Sequence, residues 1–148
     1  MIDLHEKGWV SVPELREAME DLGFFPKKDD VFLFVRRYDK DNDGRILFSD
    51  FCEAFSPKDA LSQSVLSRRP AKFRHTNMAH DQYFSKSTFD LFLRALRTHL
   101  SVEESSELLR KRLSRSAFFN AHDAFAAIDV EKFGFLMKED FRRFLAEN

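Results

Sequence analysis

Glycine, proline and cysteine are all scarce in this chain. Four glycines and four prolines in 148 residues supply few of the turns that a β-sandwich or barrel needs, which favours a mainly helical protein. The one cysteine, Cys52, cannot close an internal disulfide and points to a reducing compartment. No run approaches the roughly 20 apolar residues that span a bilayer. Residues 1–6 lack the basic segment and apolar stretch of a secretory signal. These absences describe a soluble, cytoplasmic chain. Charge of one sign is lacking too: the net is -1, which implies neither a nucleic acid nor an anionic membrane as partner. No phosphate-binding glycine loop, zinc frame or nucleophile motif is visible, so catalysis has no support.

What is abundant is phenylalanine, with 18 copies. Charge is also segregated. Residues 1–55 carry 13 acids against 8 bases, and the remainder carries 12 acids against 16 bases. An acidic first part and a basic second part suggest two pieces with different electrostatic work.

Apolar residues recur with helical period at Val12, Leu15, Ala18, Met19 and Leu22. Ser11 and Glu14 form a capping-box pattern before them, and Gly23 and Pro26 end the run. A second helix is expected from Pro26 or Lys27 to Tyr38, with Val31, Val35 and Tyr38 on one face. A third passes through Phe51 and Phe55. Residues 57–76 read as a basic linker with a short helical piece at 60–66. Beyond it, helices are expected over 87–100, 102–113 (capped by Ser101), 116–128 and 138–147.

Between the second and third helices lies Asp39-Lys-Asp41-Asn-Asp43-Gly44-Arg45-Ile46-Leu47-Phe48-Ser49-Asp50. A twelve-residue calcium loop needs side-chain oxygens at positions 1, 3 and 5, a backbone carbonyl at 7 and a carboxylate at 12, with glycine at 6 for the turn. Asp39, Asp41, Asp43, the Arg45 carbonyl and Asp50 fill those places in order. Ile46 fills position 8, where short backbone pairing joins neighbouring loops. Asp50 is one methylene shorter than the usual glutamate, so calcium loses a ligand while octahedral magnesium loses little. Leu47 at position 9 cannot orient a coordinating water. One weak Ca2+ or Mg2+ site is expected.

The frame of Gly44, Ile46, Asp50 and Phe51 recurs as Gly8, Val10, Glu14 and Leu15, and again as Gly134, Leu136, Asp140 and Phe141. A fainter copy contains Phe84, Thr88, Phe89 and Phe92. With these residues the chain resembles the EF-hand superfamily of calmodulin and troponin C, most specifically over residues 10–55. The resemblance implies an all-α protein of paired EF-hands in two lobes, with an extra helix (102–113) inserted between hands three and four. The first lobe would be residues 1–56, its first hand lacking an incoming helix, so that the chain is a fragment or a partner covers that face. Residues 77–148 would form a degenerate second lobe.

Three of the four loops depart from the ligand pattern. Loop 3–14 has Lys7 at position 5, loop 77–88 has Ala79 at position 3 and Thr88 at 12, and loop 129–140 has Phe133 at position 5. All three are expected to hold no ion. His75, His80, His99 and His122 read as ordinary solvated or interfacial histidines, and Cys52 as a half-buried helix residue.

The phenylalanines of the second half are more than one small pocket holds. Phe89, Phe92, Phe118, Phe125, Phe141 and Phe144 are therefore expected to line a groove for an amphipathic partner helix. Four methionines are few for a promiscuous groove, which argues for a fixed partner. The expected function is a non-enzymatic calcium- or magnesium-binding subunit that clamps an apolar helix of a larger assembly. The segment after the second loop, Phe55-Ser-Pro-Lys-Asp, is similar to EF-hand proteins of cilia and flagella and points to the cytoskeleton or axoneme. The alternatives are a calcium sensor acting on a target, and the regulatory fragment of an enzyme.

Overall fold

The computed structural model describes residues 2–3, 6–69 and 85–147. They form two compact units, residues 1–105 and 106–148.

The first unit begins with strand β1 (Trp9–Ser11) and helix α1 (Val12–Asp21). Glu14 reaches back to accept from the Ser11 N–H at 3.0 Å and the Ser11 hydroxyl at 2.8 Å, fixing the helix start. At the far end Gly23 adopts a left-handed φ of 75°. It donates its N–H to the Glu20 carbonyl while Phe24 N–H reaches Met19, so the last carbonyls are satisfied as the chain reverses. Helix α2 (Lys28–Tyr38) carries Asp29 and Asp30 in its first turn and Arg36 and Arg37 in its last, in accord with its dipole. It buries Val31, Phe34 and Val35. Strand β2 (Arg45–Leu47), helix α3 (Phe48–Phe55) and helix α4 (Ala60–Ser67) follow. The two strands pair antiparallel with Val10 opposite Ile46, the position-8 pairing expected from the repeat.

Helix α5 is the main departure from the sequence reading. Two helices divided at Ser101 were expected, yet Lys86–Ser114 is a single helix of 29 residues. The expected inserted helix 102–113 is thus the continuation of α5 and not a separate element. A serine breaks a helix only where something offers the backbone a better partner, and no glycine or proline lies anywhere in this span.

The early part of α5 is a structural member of the first unit. Leu96 and Leu100 join Val10, Leu15, Met19, Val31, Phe34, Val35, Ile46 and Ala54 in one apolar core. Phe92 packs on Phe51 and Phe55 at centroid distances of 6.2 and 5.0 Å. His99 lies edge-on to Phe34, Tyr38 and Phe55, and its Nδ1 is 3.1 Å from the Tyr38 hydroxyl. Lys27–Glu104 at 2.7 Å and Arg37–Glu103 at 3.7 Å pin the rim. A mostly apolar recess of about 320 Å³ remains beside the helix, walled by Trp9, Leu15, Met19, Phe48, Phe51 and Phe92 among others.

The second unit holds the end of α5, α6 (Ala121–Ile128) and α7 (Lys138–Glu147). Helix α6 starts five residues later than expected from Ser116, because Asn120 is the cap: its Oδ1 accepts the His122 N–H at 2.8 Å. Loop 129–140 joins α6 to α7 and completes a helix–loop–helix. All the buried apolar side chains among the described residues belong to the first unit.

Burial predicts unequal costs along α5. Leu96→Ala should destabilise the chain by about 2–5 kcal/mol, whereas Leu109→Ala, at a position 62 % exposed, should cost under about 0.5 kcal/mol. Urea unfolding of the two variants tests this, and equal effects would refute the docking of the early α5.

Candidate metal centre

The second loop leaves α2 at Asp39, a residue only 8 % exposed. Its Oδ1 accepts the Asp43 N–H at 3.2 Å and its Oδ2 the Gly44 N–H at 2.8 Å. Asn42 at φ 59° and Gly44 at φ 80° supply the left-handed steps that fold the loop back on this aspartate. Asp43 Oδ1 then accepts the Arg45 N–H at 2.9 Å as the chain enters β2. Buried Asp50, in the first turn of α3, accepts the Leu47 N–H on Oδ2 at 3.0 Å.

The outcome is a cluster of like charges. Carboxylate oxygens of Asp39, Asp41 and Asp43 lie within 4.8 Å of one another. Burial pushes Asp39 up, but the Gly44 N–H, Asp41 and the Asp43 N–H outweigh it and hold the group below its ordinary range. Asp41 moves the other way, raised by its contact with Asp39 and by the charge of Asp43. Three hard oxygen donors crowded in this manner suit a divalent cation of the calcium or magnesium type. Asp50 lies outside that trio, and Arg45 sits at the start of β2, paired with Ser11.

The loops at 3–14 and 129–140 have the same backbone ties. Asp3 accepts from Lys7 and Gly8 N–H at 3.0 and 2.7 Å, and Asp129 from Phe133 and Gly134 N–H at 3.0 and 2.8 Å. The position-12 carboxylates accept from position 9: Glu14 from Ser11 at 3.0 Å and Asp140 from Met137 at 2.7 Å. What differs is the other carboxylate oxygen. Glu14 Oε1 takes the Lys7 ammonium at 2.5 Å, and Asp140 Oδ1 takes the Arg143 guanidinium at 3.0 Å. Arg143 also lies 3.8 Å from Glu131. Lys7 sits 3.7 Å from the centre of the Trp9 ring, and the Arg45 guanidinium 4.1 Å from it. The roles of Lys7 and Arg143 escaped the sequence reading. Lysine at position 5 was visible, and arginine three residues past position 12 was the available signal on a helix.

The phenylalanines assigned to a partner groove divide between the units. Half-buried Phe89 and Phe92 lie in the first; exposed Phe118, Phe125 and Phe141 and half-buried Phe144 lie in the second. Phe118 is 99 % exposed. His99 is interfacial, His122 is exposed and Cys52 is half-buried in α3. Loop 77–88 up to residue 84, with His75, His80 and the linker beyond residue 69, falls outside the described residues.

Two loops that meet through a short antiparallel ladder, one of them between two helices and with converging aspartates, are the pattern of a class of cation-binding protein. Residues 1–56 match the family model described as an EF-hand domain pair, and over these residues the chain is a calmodulin-like EF-hand pair. It is 34% identical over 77 residues to calcium-binding protein 7 of Homo sapiens, covering 52% of this chain and 34% of the relative. Calcium-binding protein 8 of Homo sapiens is 33% identical over 63 residues, 43% of this chain and 24% of that protein. Centrin-1 of Bos taurus is 35% identical over 60 residues, 40% and 35% of the two chains. The match thus spans about a third of the length of calcium-binding protein 7. Among the described residues, no helix is long and apolar enough to cross a membrane.

The Lys7 ammonium, foremost, with the Ser11 N–H and hydroxyl, lowers the Glu14 carboxyl from 4.5 to about 2. A depressed carboxylate pKa stabilises the fold above its unfolded value, so this contribution is complete above pH 4.5 and fades as pH falls towards 2. An NMR titration of Glu14 should find the low midpoint in the native protein and a rise towards 4.5 in Lys7→Gln. A midpoint indifferent to the substitution would refute the assignment.

Proposed function

We propose that this chain is a non-enzymatic EF-hand subunit that holds one calcium or magnesium ion in loop 39–50 and clamps an apolar helix of a larger assembly. The observation that carries the ion is the convergence of Asp39, Asp41 and Asp43 within 4.8 Å in a loop already tied by its backbone. The Arg45 carbonyl and Asp50 would complete the shell. The names of two relatives, calcium-binding proteins 7 and 8, support the same reading. Aspartate at position 12 makes the affinity low.

The clamp reading draws on the apolar surface of the second unit. Exposed Phe118, Phe133, Phe135, Phe141 and Leu145 are among many large apolar side chains left open there, more than a small soluble unit ordinarily shows to water. An amphipathic helix from a partner would lie on Phe118, Phe125, Phe141 and Phe144. Phe92, packed on Phe51 and Phe55, belongs to the gripping of α5 within the first unit. A cytoplasmic assembly of the cytoskeleton or cilium is the setting this proposal includes.

A calcium sensor is the second reading, favoured by the mutual repulsion of the three aspartates, which an ion would relieve. The two differ in what the ion changes. In a clamp, α5 stays seated when the ion binds. Calorimetry on the full chain, with and without magnesium, should find one ion bound with a dissociation constant on the order of 10⁻⁴–10⁻³ M, abolished by joint Asp41→Asn and Asp43→Asn substitution. Binding of an apolar dye should barely change. Micromolar affinity with a large dye response would favour the sensor, and no ion bound at all would defeat both.

A further inference from the structure

We propose that the loops at 3–14 and 129–140 are closed by cations of the chain itself, Lys7 in the first and Arg143 in the second, each standing in for a divalent ion at the position-12 carboxylate. These two loops would keep their closed form at any calcium level. The inference rests on reading both loops as EF-hand loops, and it is independent of whether loop 39–50 binds an ion.

The three described loops make the comparison. In each, one oxygen of the position-12 carboxylate accepts the position-9 N–H, and this bond ties the loop to the start of the outgoing helix. The second oxygen has a different fate in each. Lys7 Nζ takes it in loop 3–14 and the Arg143 guanidinium takes it in loop 129–140. In loop 39–50, among the described residues, no lysine or arginine pairs with Asp50. Lys40 feels the charge of Asp50 but forms its ion pair with Glu53 at 2.5 Å, and Arg45 pairs with Asp43 at 3.6 Å. Tethered cations therefore occur in the two loops whose position 5 is not acidic, and are missing where three aspartates converge.

The chemistry is balanced loop by loop. Position 5 of the first loop is Lys7, which replaces a ligand and delivers the counter-charge with one side chain. Position 5 of loop 129–140 is Phe133, stacked on Phe135 at 5.7 Å, so the charge comes from the helix that follows. There Arg143 lies one turn beyond Asp140 and reaches back to Asp140 and to Glu131 at position 3, a pairing a fork of guanidinium donors can make. Lys7 is further confined by the face of Trp9. The low Glu14 pKa agrees with the charge being held close.

Amide hydrogen exchange on the full chain in excess chelator tests this without any ion in loop 39–50. The Ser11 and Met137 amides should exchange slowly in the native protein. Lys7→Gln should speed Ser11 alone and Arg143→Gln should speed Met137 alone, each by about tenfold. Lys7→Arg and Arg143→Lys, which keep the charge, should retain the slow exchange. If the glutamine variants leave both amides unchanged, or if the charge-keeping variants lose protection as the glutamine ones do, the proposal is overturned. The charge-keeping pair still decides the matter should a glutamine variant fail to fold.

Discussion

In three separate loops an aspartate at the first position gathers the N–H groups of the fifth and sixth residues onto its two oxygens. Those N–H groups point inward because the intervening residue and the glycine turn left-handed, at φ 51°, 59° and 58° and then near 80°. A backbone bent this far has no ladder or helix to satisfy it, so the carboxylate substitutes for one. Once the bend is made, the position-8 residue emerges extended. Val10 and Ile46 meet across the ladder and send their side chains to the core. The loops therefore set the helices, and the apolar core follows from where the helices are put.

That order explains which parts of the molecule could be read from the sequence. The glycine at position 6, the apolar residue at 8 and the acid at 12 mark each loop because they answer local demands, and local demands leave local traces. The helix 138–147 and the pairing of Val10 with Ile46 were legible for that reason. Phe34 was not singled out although it is 2 % exposed, because the expected face of α2 was drawn through Val31, Val35 and Tyr38. It faces His99 and Phe55, neighbours that no window of α2 contains. The helix over 87–100 was legible, but its packing into the first unit's core was not, for the same cause. Leu96 and Leu100 meet Val10, Leu15, Met19 and Ile46 there, partners that no window of α5 contains. The false break at Ser101 came from treating a possible cap as a necessary one.

The candidate site shows the same division. Asp39, Asp41 and Asp43 converge as the spacing requires, since positions 1, 3 and 5 lie on one short bend. The Arg143 contact depends on α7 starting on time, and the Lys7 contact on Trp9 lying flat beneath the ammonium. Both are products of three-dimensional placement. Unit by unit the contrast is strong. Both bury two loop aspartates, but the first has an apolar core supplied partly by α5, while the second leaves all its phenylalanines except half-buried Phe144 exposed.

Trp9 is the sole indole in the chain, and its ring meets an ammonium from one loop and a guanidinium from the residue at position 7 of the next. Charges near an indole shift its ultraviolet emission. The native polypeptide thus carries its own optical probe at the seam between its two paired loops, with no label attached.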